Sequence, residues 1–355
     1  VLMSIIFLIK SIFRYDVYIF GFGTSILPYN IDMPILKVLG KKVISILGHG
    51  SEARPPYIDA NSDQYPELSY IRQLAERRKR RVCFHQKYAS FVIGAPFSTA
   101  HFANQLFINW FAIGLPISKT IDSTIKCTDD SRARKIRIVH APSNPTVKGS
   151  PKIIQAIDNL QNRGYDIEFV LIHGKTNREV LEEVAKCDLV VDQIYSDTPM
   201  SSFAAEAAWL GKPAIVGGYG IDRLRSFVPE TMWPPSFTCH PDEIEHAIEY
   251  LIENPEMRLH LGKVAQRFVQ EKWSAIEVAK RFLRIIEGDI PDEWWLDPQH
   301  VIYLEGVGQP IERTKEIVRA MLEMYGKKSL QLDHRSELLS AFLEFVSVDC
   351  KKIDS

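Results

Sequence analysis

Between Ile136 and Gly220 the chain alternates short β-branched runs with segments of helical period, and a parallel sheet with crossover helices is the arrangement that such a sequence fits. The runs are Ile136 to Val139, Ile167 to Ile172, Leu189 to Val191 and Ala214 to Val216. They are too apolar for half-exposed strands, so burial on both faces is expected. The segments between them carry helix punctuation. Ser150 and Pro151 suit an N-cap and first turn, Ile153, Ile154, Ile157 and Leu160 share one face, and Gly164 ends that helix. Thr176 to Glu179 has the spacing of a capping box, and Ser201 to Leu210 stops at Gly211 with Pro213 beyond. Ligands of such sheets bind outside the carboxyl ends of the strands. His140 to Gly149, His173 to Thr176, Gln193 to Ser202 and Gly217 to Asp222 are therefore expected to face one crevice.

The 355 residues give room for a second core. Further β runs at Val17 to Phe20, Val43 to Leu47 and Phe91 to Ile93 suggest a first α/β domain over 1–118. Residues 119–135 are poor in apolar side chains and read as a linker, 136–290 as the second domain and 291–355 as a helical extension. Within these, helices are expected near 66–82, 241–253, 255–271, 275–287 and 311–325, and Trp294 and Trp295 should dock the tail. Val1 to Phe13 reads as an amphipathic core helix, because Lys10 and Arg14 interrupt the apolar run before bilayer length. An interfacial helix is the other reading of that stretch. The net charge of −1 gives no bulk attraction to nucleic acid. Five scattered cysteines without a Cys-x-x-Cys pair fit a reduced, cytoplasmic setting and supply no metal motif.

The strand, loop and helix around Val147 to Ser150, the CDLVVDQ strand (Cys187 to Gln193) and FAAEAAWLGKPAIVGG (Phe203 to Gly218) together resemble the C-terminal half of GT-B glycosyltransferases, retaining members in particular. The resemblance implies two Rossmann-like doubly wound domains facing a cleft, with the first domain lacking its first strand and glycine-bearing loop, as in a truncated chain. It also implies a nucleoside diphosphate-sugar donor, a glycan or lipid-linked hydroxyl acceptor, and no metal or other cofactor.

The residues support that chemistry in their own terms. Pro199 to Phe203 opens a helix whose free N–H groups suit phosphates, with Ser201 and Ser202 small enough to let a ligand approach. Glu206, one turn in, sits among alanines where an unpartnered carboxylate is costly. The resemblance gives it the ribose hydroxyls, and gives Lys148 the charge of the departing diphosphate. Gly149 permits the tight turn after Lys148. His140 ends a strand and could touch the base or the sugar, and Gly217 and Gly218 should line the base pocket. Where the family usually has an arginine, this chain has Ser143. The family's first glutamate of a pair falls at Thr198, with Asp197 one step away as the candidate for sugar hydroxyls. From the first domain, His49 and Arg54 are candidates for the interdomain cleft, His49 in a catalytic role.

Arg77, Arg78, Lys79, Arg80 and Arg81 form a basic run that is either a solvated helix face or a seat on anionic lipid headgroups. Without aromatic interleaving it argues against nucleic acid. Two other functions fit the same sequence: a nucleotide-sugar epimerase, and an inert nucleotide-binding or partner-binding module derived from such an enzyme.

Overall fold

Short apolar runs become two separate sheets. The computed structural model describes residues 2–48, 50–60, 67–117 and 135–347. Its strands are β1 (Val17–Phe20), β2 (Lys42–Leu47), β3 (Phe91–Gly94), β4 (Phe107–Asn109), β5 (Ile136–His140), β6 (Ile167–Leu171), β7 (Leu189–Val191), β8 (Ala214–Gly217), β9 (Phe237–Cys239) and β10 (Trp295–Leu296). One sheet has the order β1-β2-β3-β4-β10, parallel except for β10, and the other the all-parallel order β6-β5-β7-β8-β9.

Strand parity shows how both faces of the first sheet are covered. Val43 and Leu47 of β2 face the helices Asp32–Val38 and Leu68–Tyr88, while Ile44 and Ile46 face the opposite way with Ile93 and Ile108. The second layer comes from the far end of the chain. Val278 and Ile285 of helix Ala275–Glu287 pack there with Trp294, and Ile117 N–H donates to the Trp273 carbonyl at 2.7 Å where that helix begins its return. The extension joins the same domain. Trp295–Leu296 pairs with β4, and Phe342 of helix Ser336–Ser347 meets Tyr57 edge-on at 5.6 Å.

The second sheet is doubly wound. Ile138, Leu189, Val191 and Ile215 pack against helices Ser150–Asn162 and Ile244–Glu253, whereas Val139, Val190, Ala214 and Val216 pack with helices Asn177–Lys186, Ser202–Trp209 and Pro255–Glu271. The winding reverses between β5 and β7, which opens a crevice at their carboxyl ends.

Several expectations change. The helix Leu2–Ile12 is not a core helix: it buries only Leu8 and Ser11, and leaves Leu2 and Met3 71% and 76% exposed. Its apolar residues lie all around the helix, and β1 at the sheet edge offers one side to pack against. The helix expected near 66–82 runs from Leu68 to Tyr88, since no breaker lies between Val82 and Tyr88. Gly149, in the left-handed region, occupies the N-cap position before Ser150. The 119–135 linker, apart from Lys135, lies outside the described residues.

Candidate functional site

The loops after β5 and β7 meet at the point of reversal. A four-residue helix, Pro145–Lys148, is capped by the Asn144 side chain, which accepts from the Thr146 and Val147 N–H groups. Gly149 then turns the chain at φ 73°, where an added Cβ would stand 2.2 Å from Ile194 Cγ1, so both conformation and space require glycine. That turn holds Lys148 toward the end of β7. Its Nζ donates to Gln193 Oε1 at 2.6 Å and lies 3.4 Å from Asp192 Oδ1. Asp192 is buried, and its second oxygen accepts from Ser201 Oγ.

Lys148 and Glu206 share a cleft of about 530 Å³, lined also by Ser143, Asn177, Asp192, Ser201 and Ser202. The start of helix Ser202–Trp209 lies within that lining. Glu206 Oε1 accepts from Asn177 Nδ2 at 3.0 Å. Burial, reinforced by Asp192, raises the Glu206 carboxyl above its ordinary 4.5 despite that hydrogen bond. The cleft thus presents an ammonium, a carboxylate and helix N–H groups, suited respectively to phosphate, a vicinal diol and phosphate again.

Other residues take different places. His140 is buried behind the cleft, with Nδ1 2.8 Å from the Val191 carbonyl and Nε2 2.8 Å from Ser150 Oγ. Both ring nitrogens are engaged inside the fold, so it touches neither base nor sugar in this arrangement. Burial also lowers its pKa below 6.5. Gly217 and Gly218 do not line the Lys148 cleft. They let the end of β8 approach the loop after β7, since a Cβ on them would stand 2.8 Å from Ile194 Cα and 2.2 Å from the Ser196 carbonyl oxygen. His49 lies outside the described residues.

Asp197 is held by the first domain. Arg54 Nη2 donates to its Oδ2 at 2.5 Å, joining the loop after β2 to the loop after β7. Arg54 also lies 3.6 Å from Asp59, which Arg78 approaches at 3.1 Å. Arg78 is thus buried, and Arg81 donates to the Glu52 carbonyl. Arg77 and Arg80 point outward, and Lys79 is half-buried. The five cations therefore form no common face for a lipid surface. A small interdomain cavity lies beside this network, lined by Arg54, Trp110, Phe111, Asp197, Ser201 and Ser202 among others.

The extension crosses the boundary as a strap. Val307 N–H donates to the Ile58 carbonyl, the Ala60 N–H donates to the Val307 carbonyl, and Gly308 N–H reaches the Tyr195 carbonyl at 2.7 Å. Ile311 N–H donates to Tyr219 Oη, which places the next helix over the glycine-rich loop expected to form a base pocket. Sequence reasoning placed Gln193 in the crevice and missed Asp192, Asn177 and this strap. Asp192 had a signal, as the first residue beyond a fully buried run.

Among the described residues there is no group of three or more histidine, cysteine or acidic side chains placed to hold a metal ion, and no helix is long and apolar enough to cross a membrane.

Two α/β domains, meeting through loops at the carboxyl ends of their parallel strands, define a GT-B architecture. No family model matches the chain, and no curated protein matches it in sequence. Solved structures resemble it in arrangement. The Anabaena protein Alr3699/HepE in complex with UDP is 13% identical, with 81% of this chain and 82% of that chain covered at a TM-score of 0.48. A glycosyltransferase from Rickettsia africae ESF-5 is 13% identical over 79% of this chain and 100% of that one, with a TM-score of 0.35. The glycotransferase of kitacinnamycin gives 11%, 81% of each chain and 0.39.

Proposed function

We propose that the crevice between β5 and β7 binds a nucleoside diphosphate-sugar and that the protein transfers the sugar to a hydroxyl acceptor, a glycan or lipid-linked precursor. The observation that carries this reading is the placement of Lys148 and Glu206 in one cleft, with the start of helix Ser202–Trp209 in the same lining. The ribose diol donates to Glu206, the diphosphate lies at the helix start, and Lys148 neutralises the charge that develops as the diphosphate leaves. Interactions that strengthen as that charge develops raise turnover, so Lys148 acts on rate as well as affinity. The resemblance to retaining enzymes supports retention of the anomeric configuration, with the leaving phosphate accepting the acceptor's proton. It also supports metal-independent transfer.

A thermal-shift series with UDP-, GDP- and ADP-sugars tests the donor assignment, because a ligand that binds the folded state raises the melting temperature by mass action. Stabilisation by one of them that disappears in Glu206→Ala and Lys148→Ala is the expected result. No stabilisation by any of the three would sink it. Transfer is then measured as nucleoside diphosphate release with and without oligosaccharide or polyprenyl-linked acceptors.

One observation favours a second reading, the inert nucleotide-binding module. Asp197, the candidate for sugar hydroxyls, is already paired with Arg54, and the strap closes part of the domain boundary. Nucleotide binding without turnover on either acceptor class would select it.

A further inference from the structure

Arg54 is buried, yet it lines the interdomain cavity. Ser201 and Ser202 line both that cavity and the Lys148 cleft. The guanidinium of one domain and the ammonium of the other therefore border cavities that share these two serines. Arg54 spends one nitrogen on Asp197 at 2.5 Å, lies 3.6 Å from Asp59 through another, and keeps a buried Nε with no hydrogen-bond partner among the described residues. Its counter-ion Asp197 is a single carboxylate. A diphosphate offers more charge and several acceptor oxygens in the planar spacing that a guanidinium matches.

We infer that Arg54 is a second diphosphate-binding cation, supplied by the first domain, and that Asp197 holds it in place until a donor enters. When the diphosphate takes the guanidinium, Asp197 is released toward the sugar hydroxyls. No bond is made or broken beyond this exchange of ion-pair partners. The inference rests on the donor reading above and adds the residue that discriminates diphosphate from monophosphate.

Calorimetric titration of the full chain with UDP, GDP and ADP, each against its monophosphate, tests it in wild type, Arg54→Gln, Asp197→Asn and Lys148→Ala. Arg54→Gln should lose about tenfold of the diphosphate preference while monophosphate affinity stays within about twofold. Asp197→Asn frees Arg54 and should tighten diphosphate binding severalfold, which a purely structural ion pair would not do. Should Arg54→Gln fail to fold by its melting curve, the Asp197→Asn result decides. Unchanged diphosphate preference in Arg54→Gln, or equal weakening of both nucleotide classes in Asp197→Asn, overturns the role of Arg54. If Lys148→Ala still abolishes binding in that case, the donor reading survives. Absence of nucleotide binding in wild type overturns both.

Discussion

Asn177 Nδ2 donates to Glu206 Oε1 at 3.0 Å, so the carboxylate offered to a ribose is oriented by the residue that follows the capping threonine of the preceding helix. Burial and Asp192 raise the Glu206 pKa above 4.5. The ribose hydroxyls need the ionised carboxylate as acceptor, so nucleotide affinity should fall as pH drops from about 7 into the raised range, at acidities where an ordinary glutamate remains ionised. The same shift has the opposite effect on stability: the folded state holds the proton longer, so this group's contribution is present at low pH and lost as pH rises through the folded pKa. Titration of nucleotide affinity against pH in wild type and Glu206→Gln checks this, and the variant should bind weakly with a flat profile.

Lys148 separates two effects that are usually confounded. Lys148→Ala removes the cation nearest the diphosphate and should lower turnover by roughly 10²-fold, the usual loss for one electrostatic donor at a developing charge. It also leaves the buried Asp192 carboxylate without its cation, at about 1–3 kcal/mol of stability. Lys148→Ala combined with Asp192→Asn should recover much of that stability and none of the turnover. Urea midpoints and nucleotide-release rates on the two variants provide the comparison, and recovered turnover in the double variant would remove Lys148 from the chemistry.

What could be read in advance was local. The strand Leu189–Val191 and the capping box at Thr176 are written in neighbouring residues, and both form as expected. Two misreadings were avoidable by periodicity. His140 shares strand parity with Ile136 and Ile138, which face the core, and Arg78 lies on the helical stripe of Ile71, Ala75 and Val82. The Arg54–Asp197 pair and the bridge between Asp59 and Val307 join residues remote in sequence, and no local pattern encodes such partners. The two-residue strand Trp295–Leu296 is too short to show an alternation at all.

The strap should contribute measurably to stability. Tyr303 is fully buried, stacks on Phe97 with centroids 4.2 Å apart and donates to the Gly306 carbonyl at 2.7 Å. Tyr303→Ala should cost about 3–5 kcal/mol and Tyr303→Phe about 1 kcal/mol. Gly308, at φ 72°, has the Val147 and Ala60 side chains 2.7 and 2.9 Å from where a Cβ would stand, one from each domain. Gly308→Ala should therefore loosen the strap, and hydrogen exchange at the Ala60 amide should quicken before global unfolding. Protection at Ala60 equal to wild type would show that the strap does not depend on this close approach.

Acid should destabilise the protein through its buried histidines. His85 lies against Ser45 and Asn30, and burial lowers its pKa to about 4. His101 Nε2 donates to the Tyr303 carbonyl at 2.8 Å, with burial lowering its pKa to about 3, and His140 is shifted in the same direction. His85 and His101 stay neutral in the fold below 6.5, where the unfolded chain takes up protons. Stability is therefore full above about pH 6.5 and is lost as pH falls toward the folded values, by up to about 1.4 kcal/mol per pH unit for His85 and the same for His101, with His140 adding in the same direction. Between pH 6.5 and 5 the lowered carboxylates, Glu183 and Asp242 among them, remain ionised in both states and add little slope. Urea unfolding at pH 7, 6 and 5 should show the loss, and His101→Gln, although less stable at pH 7, should show about one histidine's share less of it. An unchanged slope in that variant would place the acid sensitivity elsewhere.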